Sequence, residues 1–426
     1  MQARAFSFPQ LAPGDIAEYQ VGKFVKGNTV GSKLYFQSDL PTRHVVFRVK
    51  PIPLPMGLIG SYGTVRFTHG CPKQPSKLSK GYDCVEMRDV PAFASEPRMM
   101  PSDDVRMWML FYLTDLRVKP DDFWTDIGTD AATRIERLID KSSALAGEKA
   151  ASLTEGVSRP EEKLARLNDY CRQSIVNAVY FKPPAGIDRG KMQSVSHSPD
   201  EVIRNRAGNS RDIPALFIAM ARSLGFDARV ALASSWAYGT FQKELMSSSN
   251  LSDTIVAVKV GDHWKFYDPK RCRVSTGTLY YQNEGNMALI ATTREIEWAR
   301  LPVTPAAKSL RKRTARFHID EEGTLTGTVS IVYSGQALNT ALYDYYKSTP
   351  SRISGLVGRR EKSRIPSCKV TKVKVDGATN LKQQLRLTYE VTVPGYAERA
   401  GSRSFYTTRV FRKRHEGRVP RRKTRP

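Results

Sequence analysis

The stretch that most constrains this chain runs from Gly208 to Tyr267, where one long apolar stripe is followed by three alternating segments. Ile213, Leu216, Phe217, Met220, Ala221 and Leu224 recur at spacings of three and four, which is one face of a helix, and Gly225 is placed to end it. Phe226 to Ala233 then alternates as a strand, with Val230 and Leu232 on one face. Thr254 to Val260 and Trp264 to Tyr267 are two more strands, joined through the short turn Gly261-Asp262. Two helices precede this run. Ser158 and Glu161 form a capping-box pattern with Pro160 between them, ahead of a stripe at Leu164, Leu167, Cys171 and Ile175. Ser198-Pro199-Asp200-Glu201 repeats the pattern with Pro at the first helical position. Three helices followed by three strands with hairpin connections predict an α+β domain built on an antiparallel sheet.

The flanks read differently. Residues 1–125 are mostly β, with short runs such as His44 to Val49 and Gly63 to Phe67 rich in β-branched and aromatic residues. They predict a sandwich-like domain. The helix-and-sheet domain is expected over 126–300, and a second β-rich domain over 301–408, where Thr324–Tyr333 and Gln384–Val393 alternate. Helical patches at Gln336–Lys347 and Pro350–Glu361 lie between those two strands. Residues 409–426 form a basic tail of nine Lys or Arg against one acid, Glu416.

The 426-residue chain is 40% hydrophobic, enough for several packed cores, and has no run of eighteen apolar residues to cross a membrane. Lys and Arg outnumber Asp and Glu by 67 to 42, a net charge of +25, of which the tail supplies +8. Such a surplus attracts polyanions or nucleic acid, though it bears on loose association rather than fold, and no specific nucleic-acid site is expected. The five cysteines include no CxxC pair and no spacing fit for zinc, so no metal or cofactor is expected. Cys71 and Cys84 are close enough in sequence to close a disulfide loop, or to remain free thiols.

Thiol-based acyl transfer needs a nucleophile at a helix start, a histidine base on a later strand, and an Asp or Asn to hold the imidazole. Residues 208–268 present that order of elements. Gly208-Asn209-Ser210-Arg211-Asp212, the helix behind it, and Leu224-Gly225-Phe226-Asp227-Ala228-Arg229-Val230 together resemble the transglutaminase-like core. So do Leu251-Ser252-Asp253-Thr254-Ile255-Val256-Ala257-Val258 and Tyr267-Asp268-Pro269. The likeness spans about 161–270. The segments Phe8-Pro9-Gln10-Leu11-Ala12-Pro13-Gly14-Asp15 and Val90-Pro91-Ala92-Phe93-Ala94-Ser95-Glu96-Pro97, with Trp124 and Gly128, resemble the uncharacterised β domain that precedes this core in many exported bacterial proteins, and the last β region resembles the domain that commonly follows it. The resemblance implies a periplasmic or extracellular protein, although no leader is visible. Because it begins midway through the first domain, a start truncated relative to such proteins is also expected.

Where the family carries its cysteine this chain has Ser210, and where it carries its histidine it has Asp253; Asp268 keeps the family type. A serine hydroxyl is too weak an acid to ionise without a base, and an aspartate near pKa 4 is a poor acceptor for its proton. Two carboxylates at 253 and 268 would also repel each other. The chain is therefore expected to be a catalytically inactive transglutaminase-like protein that binds a peptide or protein segment around Ser210, Asp253 and Asp268. The alternatives are an active acyltransferase or peptidase using Ser210 with another base, and a polyanion binder. His263 is expected at a solvent-facing turn, His197 in a loop, Cys171 in the core and Cys272 as a solvated loop thiol. Lys308–Arg316 reads as a solvated linker, and Tyr343-Asp344-Tyr345-Tyr346 as half-buried packing.

Overall fold

The structure is a computed structural model that describes residues 10, 12–18, 33–49, 62–71, 77–79, 81–96, 99–115, 117–272, 277–346, 348–379, 384–400 and 403–406. The basic tail 409–426 and part of the Phe8–Asp15 motif lie outside them. The chain divides into two compact units, 1–93 with 106–116, and 94–105 with 117–426.

The first unit holds two three-stranded antiparallel sheets. One orders Lys33–Tyr35, Trp108–Asp115 and Tyr62–His69; the other orders Thr42–Val49, Tyr82–Val90 and Lys77–Ser79. Phe36, Val85, Val90, Met109 and Phe111, drawn from both sheets and the turn after the first strand, form their shared apolar cluster. Cys71 and Cys84 are not joined in a disulfide.

The second unit is built around one helix. Helices α1 (Pro120–Lys141), α2 (Ala144–Thr154), α3 (Pro160–Ser174), α4 (Pro199–Asn205) and α5 (Asp212–Ser223), with the shorter Ser102–Val105 and Arg189–Ser194, precede strands β1 (Ala228–Ala233), β2 (Asp253–Val260), β3 (His263–Tyr267), β4 (Met287–Ala291) and β5 (Ile296–Arg300). The strands form an antiparallel sheet in the order β3-β2-β1-β4-β5. A one-sided stripe was the expectation for α5, yet every residue from Asp212 to Ala221 is buried. The helix has α1, α2, α3 and α4 around it and the sheet beneath, so Ala215, Ile218 and Ala219 on its other faces are covered too. Each fully buried Leu, Ile or Phe there contributes about 1.5–3 kcal/mol.

Local signals mostly hold. Gly225 adopts φ +86° after α5, which only glycine takes at little cost. At α4 the Ser198 side chain accepts from the Glu201 N–H while the Glu201 carboxylate accepts from the Ser198 N–H, the reciprocal cap that the sequence predicts. The box expected at Ser158 and Glu161 is absent. The cap of α3 is Arg159, with no side-chain hydrogen bond, because Pro160 already occupies the first helical position and moves the boundary one residue on.

Helix α1 lies close against the sheet at Gly128, where an added Cβ would stand 2.6 Å from Ile296 Cγ2 and 3.1 Å from Leu289 Cδ2. One turn earlier Trp124 is fully buried, its Nε1 donating to the Lys243 carbonyl at 2.8 Å and its ring against Phe241 and Trp298. Replacing Gly128 with Ala should destabilise the protein by about 1–3 kcal/mol through overpacking, despite the better helix propensity of Ala. Urea unfolding of G128A reads this directly; an unchanged or raised midpoint would contradict the close approach.

After the core come β6 (Arg311–Ile319), β7 (Leu325–Tyr333), α6 (Gly335–Tyr345), α7 (Pro350–Lys362), β8 (Lys369–Asp376) and β9 (Arg386–Val393). They make a four-stranded antiparallel sheet in the order β6-β7-β9-β8, with Val329, Ile331, Leu387 and Tyr389 in one cluster with Leu342 and Val357 of the helices. The expected linker at Lys308–Arg316 is instead largely the edge strand β6. Its Ala315, Phe317 and Ile319 pack on the core while Lys312, Thr314, Arg316 and His318 point outward, a two-residue period hidden beneath the charge.

Candidate functional site

The loop before α5 is tied from within. Asn209 Oδ1 accepts from the N–H groups of Arg211 at 2.9 Å and Asp212 at 3.1 Å, filling donors that a helix start leaves open. Asp212, fully buried, accepts from the Asn209 N–H at 3.0 Å and the His197 N–H at 3.2 Å, and lies 3.1 Å from His197 Nδ1. Burial pushes the Asp212 carboxyl up, against the lowering effect of the hydrogen bonds from Asn209 and His197. These ties fix the backbone on either side of Ser210.

Ser210 Oγ accepts from Asn177 Nδ2 at 3.4 Å, and no histidine ring is hydrogen-bonded to it among the described residues. His197 is a loop residue committed to Asp212, and His263 stands exposed at the start of β3, beside the Gly261-Asp262 turn. Cys171 is buried in α3, its thiol pushed far up by desolvation. Among the described residues, no group positioned to take the serine proton is hydrogen-bonded to it.

Strand register brings the other two residues together. Asp253 opens β2 opposite Ala233, and Val256 pairs with Tyr267, so Asp268 falls at the same end of the sheet as Asp253. Their expected repulsion does not arise, because two cations stand between them. Lys270 Nζ lies 2.8 Å from Asp253 Oδ1 and 2.9 Å from Asp268 Oδ1, and donates to the Thr254 carbonyl at 2.5 Å. Its hydrogen bonds go to Asp268 and the Thr254 carbonyl, and Asp253 is held as an ion pair. Arg271 Nη2 lies 2.9 Å from Asp253 Oδ2, and its Nε lies 2.9 Å from Asp268 Oδ2, a charge contact whose N–H is not aligned as a hydrogen bond. The four charges cancel in a nearly dry setting, since the Lys270 and Asp268 side chains are 2% and 1% exposed. Burial would raise the Asp253 carboxyl, but the charges of Lys270 and Arg271 outweigh it and hold it below its usual value. Burial likewise opposes the charge on Lys270, and Asp253 and Asp268 outweigh it and hold the ammonium protonated.

Asn177 couples this quartet to the serine, its Nδ2 donating also to the Lys270 carbonyl at 3.2 Å. Neither Asn177 nor Lys270 belongs to the constellation expected from sequence. The dipeptide Lys270-Arg271 following Asp268-Pro269 was the available signal.

Beside the quartet opens a cavity of about 720 Å³, walled by Lys270, Arg271 and Cys272 on one side and by the rings of Tyr180, Phe181, Tyr280, Tyr281 and Tyr343. The Arg271 guanidinium stacks on Tyr280, 4.2 Å from its centroid. Cys272, expected as a solvated loop thiol, is a partly buried wall residue. The Tyr343–Tyr346 segment divides: Tyr345 is in the core, Tyr346 packs edge-on to Phe181, and Tyr343 is 70% exposed at the cavity. Among the described residues there is no cluster of three or more His, Cys, Asp or Glu arranged to hold a metal ion, and no helix is long and apolar enough to cross a membrane.

Residues 147–269 match the model of the transglutaminase-like superfamily. The structure is similar to that of a presumptive protease from Parabacteroides distasonis, at 12% identity and TM-score 0.38, covering 88% of this chain and 69% of that one. It is also similar to a presumptive cysteine protease from Cytophaga hutchinsonii, at 13% identity and TM-score 0.25, covering 65% of this chain and 90% of that one. No curated protein matches it.

Proposed function

We propose that this transglutaminase-like chain performs no acyl transfer, and that it holds an extended peptide or protein segment in the cleft beside Ser210. The observation that carries the proposal is the ion pairing of Asp253 and Asp268 with Lys270 and Arg271. A base must have a free lone pair within reach of the hydroxyl proton. Lys270 is held protonated by the two carboxylates, and Asp253 is held ionised by two cations that keep its carboxyl below its usual value. Helix α5 begins just beyond Ser210, but a helix dipole is worth at most about 2 kcal/mol, far short of ionising an alcohol.

The test is exposure of the whole protein to a fluorophosphonate probe and to glutaminyl peptides with an amine acceptor. The expected result is neither adduct at Ser210 nor turnover at pH 7. A covalent adduct at Ser210, or release of ammonia from the peptide, would overturn the proposal and revive a serine enzyme with an unassigned base.

A further inference from the structure

We infer that the three guanidiniums gathered around Glu361 in the C-terminal sheet region bind a compact divalent oxyanion of the phosphate or sulfate class. Arg313 comes from the inward face of β6, Arg360 and Glu361 from the last turn of α7, and Arg364 from just beyond it. The Arg313, Arg364 and Glu361 side chains are 8%, 9% and 8% exposed, so the group is nearly dry. Arg313, Arg360 and Arg364 are ion-paired to this one carboxylate at 3.3, 3.6 and 2.8 Å. Among the described residues Glu361 is the only carboxylate ion-paired with Arg360 or Arg364. A buried charge is costly unless it is matched, and here the cations outnumber the anion. Burial lowers the pKa of Arg313, and the charges of Arg364 and Arg311 press the same way, against Tyr389 and Glu361.

The hydrogen bonds show where an anion fits. Glu361 Oε1 already accepts from Arg313 Nη2, Arg364 Nη1 and the Tyr389 hydroxyl. Arg360 is held off from it: its Nε stands 3.6 Å away, beyond hydrogen-bond length, while its Nη1 donates to the Tyr345 hydroxyl at 3.2 Å. Nε and Nη2, the two donors of one guanidinium edge, are buried and make no hydrogen bond. Such an edge is the fork that pairs with two oxygens of one phosphate. Arg364 Nε is buried without a hydrogen bond as well. So is the hydroxyl of Tyr333, whose ring lies 6.4 Å from that of Tyr345, and a phenol can donate to an anion. Water can satisfy these donors but brings no charge. A monovalent anion leaves part of the positive surplus in place, and a divalent one removes it. The Arg360 side chain, at 26% exposure the most open of the three, is where the ion enters.

The experiment is calorimetric titration of the full chain at pH 8 with sodium phosphate, sodium sulfate and sodium acetate, in chloride buffer of constant ionic strength. One saturable site is expected for phosphate, with sulfate competing for it and acetate failing to. Arg360→Met should weaken phosphate binding about tenfold or more, and Arg360→Lys, which keeps the charge and loses the fork, by less. Tyr333→Phe removes only a hydroxyl without a hydrogen bond, so it folds as the wild type does and should weaken binding about threefold. Unchanged melting temperatures in chloride check the fold, and if Arg360→Met melts early, Tyr333→Phe decides alone. Three outcomes would overturn the inference: binding that does not saturate, binding equal in wild type and in the variants, or acetate bound as tightly as phosphate. The first two would assign the anion to scattered surface cations. None of them bears on the reactivity of Ser210, so the non-catalytic reading stands or falls separately.

Discussion

Replacing Lys270 with Met lowers the stability of the core by about 3–5 kcal/mol, the usual cost of removing one partner from a buried ion pair. The ammonium lies between Asp253 and Asp268 and fills the space that separates them. In K270M only Arg271 remains to balance two carboxylates, and the Thr254 carbonyl loses its donor. The methionine stem conserves most of the packing, so the loss reports charge rather than volume. The pH dependence gives the sign. Asp253 is depressed in the folded protein, so its contribution is present above the unfolded value of about 3.9 and is lost as pH falls through the lower folded value. Lys270 is raised, so its contribution is present below about 10.4 and is lost as pH rises through the higher folded value. Between these limits the wild-type quartet contributes evenly. K270M should therefore unfold at a higher pH on the acid side, because Asp253 loses its nearest counter-charge. Urea titrations at pH 7 and an acid-unfolding curve measure both effects; a shift under 1 kcal/mol at pH 7 would mean that water, not Lys270, compensates the two carboxylates.

Glu361→Gln should cost a similar amount, about 3–5 kcal/mol, within the C-terminal sheet region. Glu361 of α7 is buried and accepts from Arg364 at 2.8 Å and 2.9 Å, Arg313 at 3.3 Å and the Tyr389 hydroxyl at 2.9 Å. Arg360 approaches to 3.6 Å. One carboxylate thus serves three guanidiniums, and burial already lowers the pKa of Arg313 against the raising influence of Tyr389 and Glu361. The amide matches the carboxylate in size and keeps one acceptor, so the change isolates the counter-charge. Hydrogen exchange at the β7 and β9 amides would show the local loss of protection. If exchange there is unaltered, the arginines hold their positions without Glu361.

Features set by short spacings were legible in the sequence. The stripe from Ile213 to Leu224, the stop at Gly225, the Gly261-Asp262 hairpin and the Ser198–Glu201 cap each depend on residues a few positions apart, and the fold reproduces them. Superposed signals were harder to separate. At β6 the basic residues masked a strand whose inward face is Ala315, Phe317 and Ile319, and at α3 the proline outranked the serine as a boundary signal. Convergence over distance was not legible. Asn177 meets Ser210 across 33 residues, Arg271 reaches Asp253 across 18, and the cavity gathers rings from positions 180, 280 and 343. Periodicity carries no information on such meetings, which depend on strand register and on where α6 comes to rest. The sequence located two carboxylates and supplied a chemical reason for them to repel; it could not show that Lys270 and Arg271, just past Pro269, fold back between them.

The two borders of the C-terminal sheet have a bearing on how the molecule behaves in company. Along β6 run Arg311, Lys312 and Arg316, and along β8 run Lys369, Lys372 and Lys374, the outermost strands of that sheet among those described. An unpaired strand border is an invitation for a second chain to add on and continue the ladder. Here any such addition between two copies, whichever borders meet, sets like charges at strand spacing of about 4.8 Å. The repulsion is strongest at low ionic strength and fades as the screening length shrinks to about 8 Å near physiological salt. Colloidal behaviour is thus written into the same residues that build the sheet: dilute buffers keep copies apart, and concentrated salt removes the guard.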